Sequence, residues 1–127
     1  MKVENQNSSL KVSDLDISEK LKEDYIESGI TELNPPQKQA VEKGLLKGED
    51  LIVASPTASG KTFIAELGMV KKAVEKGRTA IYIVPLKALA SEKYEDFSER
   101  YENLNVKMSV GNSDDAGEYL DNADIVI

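Results

Sequence analysis

The sequence predicts an α/β fold, a mostly parallel sheet flanked by helices in three layers. Three observations carry this. Short apolar runs alternate along the chain with longer stretches of helical period. Strand–helix–strand alternation of that kind builds parallel strands joined by right-handed crossovers. The chain has 127 residues, 40% of them hydrophobic, which supports one ordinary core and excludes a collagenous or wholly disordered polymer.

Residues 1–13 are polar without sustained period and read as a flexible leader, so the domain is expected over 14–127. Asp16 is placed to cap a helix over 17–28, with Ile17, Leu21 and Tyr25 on its inner face and Gly29 as its stop. Asn34 caps a second helix, with Pro35 and Pro36 in its first turn. That helix should run to Lys47 and close at Gly48, Val41 and Leu45 giving its inner stripe. The run Leu51, Ile52, Val53, Ala54 reads as a strand buried on both faces. A helix follows over 61–76, with Ile64, Leu67, Val70 and Val74 inward and Gly77 after it. Residues 79–84 form a second buried strand, stopped by Pro85. A helix over 87–101 carries the stripe Leu86, Ala90, Tyr94, Phe97 and Tyr101, an aromatic-rich face that reads as core. Residues 106–110 form a third strand, Asp114–Asp121 a short acidic helix, and 124–127 the start of a fourth strand near an open sheet edge. A sheet that stops there is expected to be incomplete.

Composition removes whole classes of chemistry. The chain has no Cys and no His. Disulfides, thiolate metal sites, cysteine nucleophiles, Ser-His-Asp triads and histidine zinc sites are therefore excluded for these residues. A metal would be a hard cation on oxygen ligands, Mg²⁺ first. No apolar stretch approaches ~20 residues and the start lacks a signal-peptide core, so a cytoplasmic location with no membrane contact is expected. The net charge is −7, unevenly spread: residues 1–60 carry −4, residues 61–93 carry +4, and residues 94–127 carry −7. Lys71, Lys72 and Lys76 in the basic third fit a solvated helix face, which leaves Lys61 and Lys87 as its informative cations.

Lys61 lies in the segment Ser55-Pro56-Thr57-Ala58-Ser59-Gly60-Lys61-Thr62, between an expected strand and an expected helix. It fits Gly-x-x-x-x-Gly-Lys-Ser/Thr, with Ser55 in place of the first glycine. In that context the loop and the first helical turn aim backbone N–H groups at an anion. Gly60 lets the backbone approach a phosphate closely, Lys61 brings positive charge to the β- and γ-phosphates, and the Thr62 hydroxyl can ligate Mg²⁺. A lysine in a first helical turn opposes the helix dipole, and a bound anion relieves that. The expected ligands are ATP and Mg²⁺, held by Ser55, Pro56, Thr57, Ala58, Ser59, Gly60, Lys61 and Thr62, with Lys61 and Thr62 catalytic.

Two further stretches stand in register with this loop. Pro35-Pro36-Gln37-x-x-Ala40-Val41 precedes it, and Ile83-Val84-Pro85-Leu86-Lys87-Ala88-Leu89-Ala90-Ser91-Glu92-Lys93-Tyr94 follows it. Together they resemble the archaeal, Ski-like branch of the superfamily 2 DNA helicases that act at stalled replication forks, kin to the helicase domain of polymerase theta. The resemblance covers about residues 14–127. It implies the N-terminal part of a first RecA-like, P-loop NTPase motor domain. It also implies that Gln37 reads adenine, and a side-chain amide can do so by donating to one edge atom and accepting from another. It implies that Pro85, Leu86, Lys87 and Ala88 touch a single-stranded DNA backbone, at a helix start whose N–H groups suit phosphate. Gly111-Asn112 falls where the family has a further strand-contacting loop, often Gly-Asp. Asn34 departs from the aromatic often found before the two prolines.

The family's Asp-Glu-x-His box has no counterpart in these residues, and its second RecA-like domain is likewise missing. The chain is thus expected to be truncated, to bind nucleotide at most, and not to unwind. The parent activity implied is ATP-driven 3′-to-5′ unwinding of single-stranded or forked DNA, with RNA as a variant substrate. Two other readings remain: a small phosphotransferase, which would need a carboxylate at a strand end, and a non-enzymatic nucleotide- or nucleic-acid-binding module.

Overall fold

The computed structural model describes residues 10–56, 60–109 and 121–127. The chain falls into two compact units, Met1–Gly68 and Met69–Ile127. It is α/β, with helices and a parallel three-stranded sheet.

The first unit opens with a short antiparallel pair. Strand β1 (Leu10–Lys11) lies against β2 (Glu32–Leu33), Leu10 opposite Leu33 and Lys11 opposite Glu32. A 3₁₀ turn follows at Val12–Asp14, and Val12 is fully buried with its N–H on the Thr31 carbonyl at 2.9 Å. Among the described residues, Leu10–Val12 are thus already paired and packed, although they fall within the stretch read from sequence as a flexible leader. Polar neighbours hide this from composition, because one buried valine and one ladder suffice to hold the segment. The rest of the expected leader, residues 1–9, lies outside the described residues.

Helix α1 spans Glu19–Glu27. Its cap is Ser18, whose hydroxyl accepts from the Leu21 N–H at 3.3 Å; Asp16, the expected cap, lies too far before the first turn. Ile17, Leu21 and Tyr25 are buried as the spacing predicts, and Tyr25 meets Phe63 edge-on at 5.1 Å. Helix α2 spans Pro35–Glu42 behind an Asn34 cap. It stops short of Lys47 because Gly44 turns left-handed, at φ 104°, and a 3₁₀ turn at Leu45–Lys47 replaces the last helical turn. That early stop moves the inner face: Gln37, Ala40 and Leu46 are buried, whereas Val41 and Leu45 are half-buried.

The largest departure is at residues 51–54. The expected strand makes no sheet ladder among the described residues, and Ile52 is 100% exposed. Within this unit the described strands, β1 and β2, already pair with each other. A strand has no burial of its own to offer; without a partner its apolar side chains stay in solvent.

Helix α3 spans Lys61–Val70 and passes directly into a π-helical turn, Lys71–Glu75. Ile64, Leu67 and Val70 are buried as predicted, but beyond them Ala73 is buried and Val74 exposed. Past Val70 the buried positions are Lys71 and Ala73 in place of Val74. Lys71, one of the lysines assigned to a solvated face, is buried and paired with Glu75.

The second unit is built on parallel strands β3 (Ala80–Ile81), β4 (Val106–Lys107) and β5 (Ile125–Val126), in the order β3-β5-β4. Ala80 pairs with Ile125, and Val106 pairs with Ile125 from the other side. The final strand is thus the centre of the sheet and not near its edge. Helix α4 (Lys87–Arg100) covers one face of the sheet through Phe97, which is fully buried and meets Tyr82 edge-on at 5.3 Å. Ala90, Phe97 and Tyr101 of the predicted stripe are buried, but Leu86 lies before the helix and is 61% exposed. Of the buried strand expected over 79–84 only Ala80–Ile81 is strand, and Ile81 and Ile83, two residues apart, both face solvent. Gly111, Asn112 and most of the expected acidic helix lie outside the described residues.

Candidate nucleotide-binding site

The first unit brings together two of the sequence stretches singled out above. α3 begins at Lys61, directly after Gly60, whose φ of 82° is a left-handed conformation that suits glycine. The Lys61 side chain is exposed and its Nζ donates to the Ser55 carbonyl at 2.7 Å. This joins the first and last parts of the loop and places an ammonium beside the N-terminus of a ten-residue helix. Two of its three donors remain for another acceptor. Thr62, in the first turn, is half-buried, and Pro56 is exposed. Thr57, Ala58 and Ser59 lie outside the described residues.

Gln37 comes to this loop from α2. The Asn34 side chain accepts from the Gln37 N–H at 3.0 Å, and the Asn34 N–H donates to Gln37 Oε1 at 2.9 Å, a reciprocal capping box. Gln37 Nε2 then donates to the Gly60 carbonyl at 3.3 Å, an oxygen that also accepts from the Ile64 N–H at 3.4 Å. The contact is close: a Cβ on Gly60 would collide with Gln37 Nε2 and come within 2.9 Å of Asn34 Nδ2. Gln37 is buried, yet each end of its amide has one bonding site left, one N–H and one lone pair. The residue expected to read adenine is therefore first of all a bridge between a helix cap and the phosphate loop. Asn34, noted in the sequence as a cap, is part of that bridge. The signal was present, since Asn followed three residues later by Gln is a capping-box pattern.

Pro85, Leu86, Lys87 and Ala88 belong to the second unit and are all exposed. Pro85, Leu86 and Lys87 line an open groove of about 450 Å³ that also takes in Ile83 and Ser109; Ala88 does not line it. Leu86 is extended and makes no side-chain cap, so Lys87 starts α4 with first-turn N–H groups that no side chain caps. Among the described residues, no group of three or more carboxylates gathers to hold a metal, and no helix is long and apolar enough to cross a membrane.

The profile of the DEAD/DEAH box helicase family matches residues 34–127, from the α2 cap through the sheet. The chain belongs to the DEAD/DEAH box helicase family. Its relatives in that family include the ATP-dependent DNA helicase Hel308 of Pyrococcus abyssi, 51% identical over 120 residues. The proteins of the same name from Methanocella arvoryzae and Thermococcus kodakarensis are 47% and 45% identical over 124 and 119 residues. Each alignment covers 93% of this chain. The chain spans only 17% of the length of the Pyrococcus and Methanocella helicases and 11% of the Thermococcus one. A domain of this family is RecA-like, and the parallel sheet with its helices is the part of that architecture seen here.

Proposed function

We propose that this chain is the nucleotide-binding portion of an ATP-dependent DNA helicase, a cytoplasmic motor moving 3′ to 5′ along single-stranded or forked DNA. The observation that carries the reading is the junction at Gly60–Thr62: a left-handed glycine, an exposed ammonium and a hydroxyl at the start of a ten-residue helix. Family membership and the names of the relatives support it.

The donor set fits a nucleoside triphosphate with Mg²⁺. A bound nucleotide would supply the phosphoryl group that passes to water. Lys61 would exchange the Ser55 carbonyl for phosphate oxygens, and the helix N–H groups would add partial positive charge. Thr62 would offer its hydroxyl to Mg²⁺. Gln37 would spend its remaining N–H and lone pair on the adenine edge without releasing Asn34 or Gly60. In the second unit, the α4 start at Lys87 would hold a strand phosphate, with Pro85, Leu86 and Ala88 shaping the approach. Turnover is assigned to the whole motor, with a second RecA-like domain, since these residues contain no Asp-Glu-x-His sequence to position water.

The test is calorimetry of ATP and ADP with Mg²⁺ on this chain, with a thermal melt and Lys61→Ala as control. We expect binding that the variant loses, and no ATP turnover with single-stranded DNA. A folded chain that binds neither nucleotide refutes the reading. DNA-stimulated turnover abolished by Lys61→Ala would overturn the assignment of hydrolysis to residues beyond these. Stimulation of a longer form by RNA and not DNA would change the substrate.

A further inference from the structure

We infer that Asn34 is a positioning residue of the nucleotide site: it holds Gln37 so that the base-facing side chain and the end of the phosphate loop form one hydrogen-bonded unit. The inference rests on the nucleotide-site reading and adds a coupling to it. The orientation of the Gln37 amide is fixed by chemistry. The Asn34 N–H can only donate, so it takes Oε1; the Gly60 carbonyl can only accept, so it takes Nε2. The Asn34 side chain sets this up by accepting from the Gln37 N–H, which places the Asn34 N–H within reach of the amide oxygen. Gly60 must lack a side chain for the bridge to close, because its missing Cβ would occupy the space of Gln37 Nε2. Gly60 also immediately precedes Lys61. Anything that moves the amide therefore moves the carbonyl next to the phosphate-binding lysine.

A side chain that only reads the base would be silent toward a ligand without one. The bridge predicts the opposite: its loss weakens binding of inorganic tripolyphosphate, which has no adenine. The experiment titrates Mg²⁺-tripolyphosphate and Mg²⁺-ATP into the wild-type chain and into Asn34→Ala, Asn34→Ser and Gln37→Met, each with a melt to confirm folding. Gln37→Met keeps the length and adds no charge, but loses the amide that joins the Asn34 N–H to the Gly60 carbonyl. We expect Asn34→Ala and Gln37→Met to weaken tripolyphosphate about fivefold, the effect of one lost hydrogen bond, and ATP by more. Asn34→Ser, a neutral side chain that still caps, should bind tripolyphosphate more tightly than Asn34→Ala. A role in helix stability alone would lower the melting temperature of Asn34→Ala and leave the affinity of the folded protein unchanged. Equal tripolyphosphate binding by wild type and all variants overturns the coupling while leaving the nucleotide site standing. A folded wild type that binds neither ligand overturns both, and its own titration shows which case holds.

Discussion

Two four-residue apolar runs have opposite fates in this chain. Leu51–Ala54 and Asp124–Ile127 both read as strand segments, and each contains an isoleucine next to a valine. Ile52 is 100% exposed, and Ile125 is 0% exposed. The difference lies in what flanks them. Ile125 has β3 on one side and β4 on the other, and Phe97 of α4 and Tyr101 just after it add an apolar cover to the same unit. Leu51–Ala54 has no ladder among the described residues and lines an open groove with Ala40 and Lys43 of the α2 region. Hydropathy sets how much a segment gains from burial; the partners decide whether that gain is collected.

That contrast can be broken by substitution. Phe97→Ala should have the largest effect, about 3–5 kcal/mol of stability, because it removes the ring that packs on Tyr82 and leaves a cavity. Urea melts followed by tyrosine fluorescence and circular dichroism would measure it. Ile125→Ala should cost about 2–4 kcal/mol by the same assay, since it empties the centre of the sheet. Lys61→Ala should leave the melt nearly unchanged and weaken nucleotide binding by about 2 kcal/mol or more, the value of a charged hydrogen-bond donor. Asn34→Ala should destabilise the first unit by about 1 kcal/mol through its lost cap, and hydrogen exchange confined to α2 would locate the loss. Ile52→Ser should change stability by only about 0.5 kcal/mol, as at an exposed site. If Ile52→Ser costs as much as Ile125→Ala, the run at 51–54 is covered in solution and the comparison fails.

Much of the chain is legible residue by residue. The Leu21–Tyr25 face, the Asn34 cap with its two prolines, and the Gly60-Lys61-Thr62 helix start are local patterns, and local patterns survive translation into structure. The misreadings share a cause that is not local. A constant helical period puts Val74 inward, but the helix end buries Lys71 and Ala73 instead. Lys71 was expected in water, and its pairing with Glu75 keeps it inside. Leu86 continued the α4 stripe in sequence but precedes the helix in space. At the site, the reach of Gln37 from α2 to Gly60 could not be read from spacing, because it depends on where α2 lies against the loop. Only the capping box behind it was written in the sequence.

The order of strands in the second unit also has a consequence for how the chain is made. β5 is the last of the three strands to leave the ribosome, yet it stands between the other two. Until it arrives, β3 and β4 have no common neighbour, and the sheet cannot close from its N-terminal end. The unit must wait in a partly open state, with the backbone groups of β3 and β4 that will pair with β5 still unpaired. Slow synthesis through residues 82–124 would lengthen that wait, whereas a chaperone bound during the interval would shield it.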